Sequence, residues 1–180
     1  RLMSEINFDP VNLTQSLVKC ASVTPKDEGA LTVVENHLKA IGCDCHPLTF
    51  SGNNSYEVKN LFATIGNEGK HFAYAGHTDV VPVGNESSWK YPPFSAKIDG
   101  DKLYGRGSED MKSNIACFIS ATHAFIEKHG NNFNGQLSFI ITIPICGYLI
   151  FCFLFGKKPK PFFPITHPSK IFTLSLIIVF

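Results

Sequence analysis

Between Asp9 and Thr142 the apolar residues switch repeatedly between the spacing of a helix and that of a strand, and this restricts the chain to an α/β fold. Asp9-Pro10 can open a helix: the aspartate caps and the proline suits the first turn. Val11, Leu13, Leu17 and Val18 continue it as one apolar stripe until Ser22-Val23-Thr24-Pro25 breaks it. Leu31, Val34, Leu38 and Ile41 predict a second helix from about Glu28, closed by Gly42 in a left-handed cap. Residues 43–50, 58–65, 71–75 and 135–142 are predicted as strands, and Leu103-Tyr104 as a short one. A long helix is predicted from Asp110 to about Lys128, with Met111, Ile115, Phe118, Ile119, Thr122 and Phe125 on one face. Strands alternating with helices argue for a mostly parallel sheet with helices on both faces.

Composition narrows the function classes. With 180 residues, 44% hydrophobic and 17% charged, the chain is a globular protein and not a disordered one. A net charge of +1 gives no drive toward nucleic acid or an acidic membrane. The lysines at 157, 158 and 160 form a short cluster mixed with prolines, which reads as a solvated turn. None of the six cysteines (Cys20, Cys43, Cys45, Cys117, Cys146, Cys152) forms a Cys-x-x-Cys pair, so free thiols in a reducing compartment are expected. The first ten residues lack the continuous apolar run of a secretory signal, which makes the cytoplasm the expected location.

Two motifs carry chemistry. In extended chain His77 and Asp79 point to the same side, just past the end of a strand, where open α/β sheets place ligands. A metal-bound histidine needs an acceptor on its other ring nitrogen, and an aspartate two residues on can supply it. His-x-Asp alone is a weak signal, since a surface histidine beside an aspartate also gives it. The second motif is Gly105-Arg106-Gly107-Ser108-Glu109-Asp110-Met111-Lys112. Its glycines allow a tight turn, and Asp110 comes where a helix dipole favours a carboxylate; capping by Asp110 or Ser108 is the competing reading. The run lacks the third glycine and the Gly-Lys-Ser/Thr ending of a phosphate loop.

Taken together, these motifs resemble the peptidase M20 family of zinc hydrolases. The matching text includes Ser22-Val23-Thr24-Pro25, Asn60-Leu61-Phe62-Ala63, Ala75-Gly76-His77-Thr78-Asp79-Val80-Val81-Pro82-Val83-Gly84, Trp89 with Pro92-Pro93-Phe94-Ser95, and Asp99-Gly100 leading to Leu103-Tyr104-Gly105-Arg106-Gly107. It runs from about residue 6 to 142. The resemblance implies a zinc-peptidase-like catalytic domain with two Zn2+ per site, Co2+ being a possible substitute. It implies that His77 ligates one metal, that Asp110 bridges both, and that Asp79 supports His77 without ligating. Val80-Val81-Pro82 and Tyr104-Gly105-Arg106-Gly107 favour the branch that cleaves N-succinyl-LL-2,6-diaminopimelate over acetylornithine deacetylase or aminoacylase relatives. Family members are homodimers through a lid or dimerisation domain that has no counterpart here.

The resemblance stops after Thr142. The family continues with two adjacent glutamates, a general base and a ligand, whereas residues 129–180 contain no Asp or Glu. A base within reach of the reacting water is required, so this chain alone is expected to bind metal weakly and turn over little. His167 sits in Thr-His-Pro-Ser, unlike the family's histidine motif, and is read as a loop residue. Residues 1–142 are therefore expected to form a partial catalytic domain. Residues 143–180 are read as a non-family apolar tail from a shifted reading frame. Alternatives are a non-catalytic fragment that needs a partner chain, and a small membrane-anchored binding protein whose span would use residues 137–155.

Overall fold

The computed structural model describes residues 6–51 and 56–143, together with the backbone of Leu176–Val179. Helix α1 spans Pro10–Lys19; Asp9 caps it by accepting the Asn12 amide. Helix α2, Ala30–Ile41, ends on Gly42 at φ 99°, the left-handed cap expected from the glycine's position. Strands β1 (Asp44–Phe50), β2 (Val58–Gly66) and β3 (His71–His77) follow. A small hairpin pairs β4 (Lys97–Asp99) with β5 (Lys102–Tyr104). Helix α3 is Ser113–His129, strand β6 is Gln136–Thr142 and strand β7 is Leu176–Val179.

The main sheet has the order β1-β2-β6-β3-β7. It is mixed: β6 and β3 run parallel, while β1–β2, β2–β6 and β3–β7 are antiparallel. A parallel pair needs a long crossover, and the path from β3 through α3 to β6 supplies it; only seven residues separate β1 from β2, too few for a parallel crossover.

The core explains the placement of the helices. Leu61, Ala63 and Ile65 of β2, Tyr74 of β3, and Phe139 and Ile141 of β6 share one sheet face. Leu13 and Leu17 of α1, Val34 and Leu38 of α2, and Ile115 and Ile119 of α3 pack against that face. Among the described residues the helices thus cover one face of the sheet, whereas the sequence reading places helices on both. Each fully buried leucine, isoleucine, valine or phenylalanine among them contributes roughly 1.5–3 kcal/mol. Phe125, expected on the inner face of α3, is 38% exposed, and Ala116 is buried in its place. Ile143 also joins the core, and its amide donates to the Lys59 carbonyl.

No helix among the described residues is long and apolar enough to cross a membrane. The first six residues of the apolar run 137–155 are strand β6. Residues 144–175, with Cys146, Cys152, the lysine cluster and His167, lie outside the described residues.

Candidate metal centre

The segment after β3 is pinned from both sides. The Thr78 amide donates to the Thr142 carbonyl at 3.2 Å, which extends the β3–β6 ladder beyond His77. The Val80 amide donates to the Ser22 carbonyl at 2.9 Å, the Thr24 amide donates to the Val80 carbonyl at 3.1 Å, and Ser22 Oγ donates to the Thr78 carbonyl at 2.7 Å. Ser22-Val23-Thr24 therefore behaves as a short strand laid along 78–80, with Val23 and Val80 bridged in parallel. Asp79 is 1% exposed, and its Oδ2 accepts a short hydrogen bond from Thr24 Oγ1.

His77 sits at the end of β3, and each of its ring nitrogens faces an oxygen. Nδ1 lies 3.0 Å from the Asp79 carbonyl oxygen and 3.5 Å from Asp79 Oδ1. A carbonyl can only accept, so Nδ1 carries the proton and the Nε2 lone pair points outward. Nε2 faces Asp110 Oδ1 at 3.4 Å. That carboxylate oxygen is buried and has no hydrogen-bond partner. A lone pair facing a carboxylate is repulsive unless a proton or a cation lies between them. Burial pushes the His77 pKa down, but the Asp79 hydrogen bonds and charge, with that of Asp110, outweigh it and hold the pKa above the usual value.

The gap suits a metal better than a hydrogen bond. An N–H···O bond is about 2.9–3.0 Å long. Two ligands of one tetrahedral zinc, each about 2.1 Å from it, lie about 3.4 Å apart. The donor set, one imidazole nitrogen and one carboxylate oxygen, suits zinc and several other divalent ions. Among the described residues no group of three or more His, Cys, Asp or Glu is arranged to hold a metal, so His77 and Asp110 offer two candidate donors and not a complete site.

Asp110 reaches this position because it does not open the helix. Gly107 adopts φ 79°, a left-handed conformation that a glycine takes without strain. Ser108–Lys112 then forms an irregular turn in which Asp110 (φ −118°, ψ 93°) is extended, and its peptide bond to Met111 is cis. Helix α3 begins only at Ser113, and no side chain caps it. Ser108 Oγ donates to the Gly105 carbonyl at 2.9 Å, inside the turn. The capping alternative is thereby removed for both Ser108 and Asp110: the helix starts too late for either to reach its free amides.

Two neighbours carry no role in the sequence reading. Thr24 holds Asp79 through the hydroxyl already described. Lys112 is fully buried, and its ammonium donates to the Leu17 carbonyl at 2.9 Å and the Cys20 carbonyl at 2.8 Å, tying the Asp110 turn to the end of α1. Burial pulls its pKa down to about 8. The Ser-Val-Thr-Pro motif is a signal that points to Thr24; nothing local distinguishes Lys112 from a surface lysine.

The chain is similar to known proteins in sequence and in fold. Residues 73–143, which hold His77, Asp79 and Asp110, match the family Peptidase family M20/M25/M40. A succinyl-diaminopimelate desuccinylase of Bradyrhizobium sp. (strain ORS 278) is 46% identical over 134 residues, covering 74% of this chain and 35% of that protein. The chain thus spans about a third of the length of the curated relative it matches. Human carnosine dipeptidase 1 shares the fold with a TM-score of 0.62 at 22% identity, over 74% of this chain and 33% of that one. An M20 family metallo-carboxypeptidase of Sulfolobus solfataricus does so with a TM-score of 0.59 at 24% identity, over 74% and 30%. By its sequence match and its fold, the chain carries part of a catalytic domain of the peptidase M20 type, and within that family it resembles succinyl-diaminopimelate desuccinylase.

Proposed function

We propose that this chain is part of a metal-dependent amide hydrolase that converts N-succinyl-LL-2,6-diaminopimelate and water to succinate and LL-2,6-diaminopimelate, a step of lysine biosynthesis. The observation that carries the proposal is the 3.4 Å approach of His77 Nε2 and Asp110 Oδ1, with Nδ1 turned to Asp79. His77 and Asp110 would hold the metal, and Asp79 would support His77 without ligating. The ions are Zn2+, with Co2+ able to replace it. When bound they supply Lewis acidity toward the amide carbonyl and acidify water.

The residues of the chain prepare that site. The Asp79 carbonyl fixes the His77 tautomer, so that Nε2 offers its lone pair. Thr24 keeps the Asp79 carboxylate beside the ring. The turn at Gly107 keeps Asp110 out of the helix and facing His77. What is lacking is a base to take the proton from water, because residues 129–180 hold no carboxylate. Residues 1–142 form the hydrolase part, and 143–180 a tail from a shifted frame; the nucleotide sequence at that junction tests this directly. The complete enzyme is expected to be a cytoplasmic homodimer acting on a small molecule, with no nucleic-acid partner.

The experiment is complementation. The chain is mixed with the C-terminal portion of a desuccinylase relative that carries the adjacent glutamates, and succinate release is followed with Zn2+ or Co2+. Release is expected from the mixture only, and is expected to vanish with His77→Gln. Release at enzyme-like rates from the chain alone contradicts the missing base. No release from any mixture contradicts the hydrolase reading.

A further inference from the structure

Among the described residues no Asp or Glu stands within ion-pair distance of Arg106. Its Nε is buried and lacks a hydrogen-bond partner, and its Nη2 only approaches the Pro82 carbonyl at 3.5 Å. The guanidinium carbon lies 4.9 Å from the Trp89 ring, and Trp89 is itself held by Nε1–H donation to the Val83 carbonyl at 3.0 Å. Stacking occupies the face of a guanidinium and leaves its N–H edge for an acceptor in the plane. A buried N–H with no acceptor is destabilising, and a ligand that supplies the acceptor relieves that cost.

Arg106 lines a cavity of about 230 Å³ with Val80, Gly107, Ser108, Glu109 and Asp110. The same Asp110 faces His77, so the cavity opens beside the candidate metal pair. The oxyanions that accept two N–H bonds from a guanidinium edge are carboxylate, which is planar, and phosphate, which is tetrahedral. Glu109 and Asp110 share the wall, and their repulsion is weaker toward a singly charged carboxylate than toward a doubly charged phosphate.

We infer that Arg106 is a carboxylate-binding residue, anchoring one carboxylate of a small ligand beside the His77–Asp110 pair. Its use in substrate recognition rests on the amide-hydrolase reading above, whereas carboxylate binding itself needs no metal.

The full chain, free of metal, is titrated with succinate while the Arg106 Nε–Hε resonance is followed by NMR; inorganic phosphate is the comparison anion. A saturable shift with a dissociation constant on the order of millimolar is expected, with phosphate weaker. Arg106→Lys keeps a cation over Trp89 but loses the planar fork, and is expected to weaken succinate binding by about tenfold or more. Unchanged binding by Arg106→Lys, or no shift of the resonance in the native chain, overturns the proposal; tighter binding of phosphate overturns the carboxylate assignment. A parallel Zn2+ titration that leaves His77 unperturbed counts against the metal centre and not against this site.

Discussion

Replacing Lys112 with methionine should change the pH dependence of stability in a calculable way. The ammonium is enclosed completely and bonded to two backbone carbonyls at the end of α1. Burial opposes its charge and lowers its pKa from 10.5 to about 8. In the unfolded chain the lysine keeps its proton until about pH 10.5, while in the fold it releases it near pH 8. The unfolded state therefore binds more protons between these values, and the stability contributed by this group rises with pH across that window. The depression corresponds to about 3 kcal/mol at its full extent. Cys43, pushed up to about 12 by burial, and Cys45, pushed up to about 11, act in the opposite sense, since the fold holds their protons longer than the unfolded chain does. Those contributions are shared by both proteins and cancel in a difference. Urea unfolding followed by circular dichroism at steps from pH 7 to 10.5 gives that difference directly. The native chain should gain about 3 kcal/mol relative to Lys112→Met across the range. A difference that stays flat would refute the claim that Lys112 is a charged group confined in the core.

Further predictions concern the site and its turn. Asp79→Asn removes the carboxylate that holds the His77 pKa up, so the His77 titration followed by NMR should move to lower pH; a shift upward or none contradicts the assigned contact. Because the His77 pKa is raised in the fold, its contribution to stability is present below its unfolded value and is lost as pH rises through the folded one; Asp79→Asn should reduce that dependence, leaving the parts due to the Asp79 carbonyl and Asp110. Gly107→Ala would force a side chain into φ 79° and place its Cβ 2.4 Å from Val80 Cγ1. That substitution should cost roughly 1–3 kcal/mol in thermal or urea unfolding and displace Asp110, while a neutral result would show that the turn can be rebuilt.

Local chemistry made much of the scaffold legible. Asp9-Pro10 started α1 and Gly42 ended α2 because capping depends on neighbouring residues only. His77 was placed at a strand end because the apolar run before it has few alternatives. The remainder depends on contacts distant in sequence. Whether β2 and β6 pair parallel or antiparallel is set by how the chain returns, which no local pattern records. In sequence the Asp110 turn has the pattern of the first turn of a helix, since its carboxylate precedes a clean helical stripe; the left-handed Gly107 and the extended backbone of Asp110 delay the helix to Ser113. Nothing local distinguishes Lys112 from a surface lysine, because its partners lie 95 and 92 residues away.

The account rests on a cation held between His77 and Asp110, and a cobalt titration of the full chain tests it most directly. Visible absorption of Co2+ and perturbation of the His77 ring resonance should appear together, with weak affinity, and both should be lost in His77→Gln and in Asp110→Asn. Binding that survives both substitutions, or no binding at millimolar Co2+, would contradict the account.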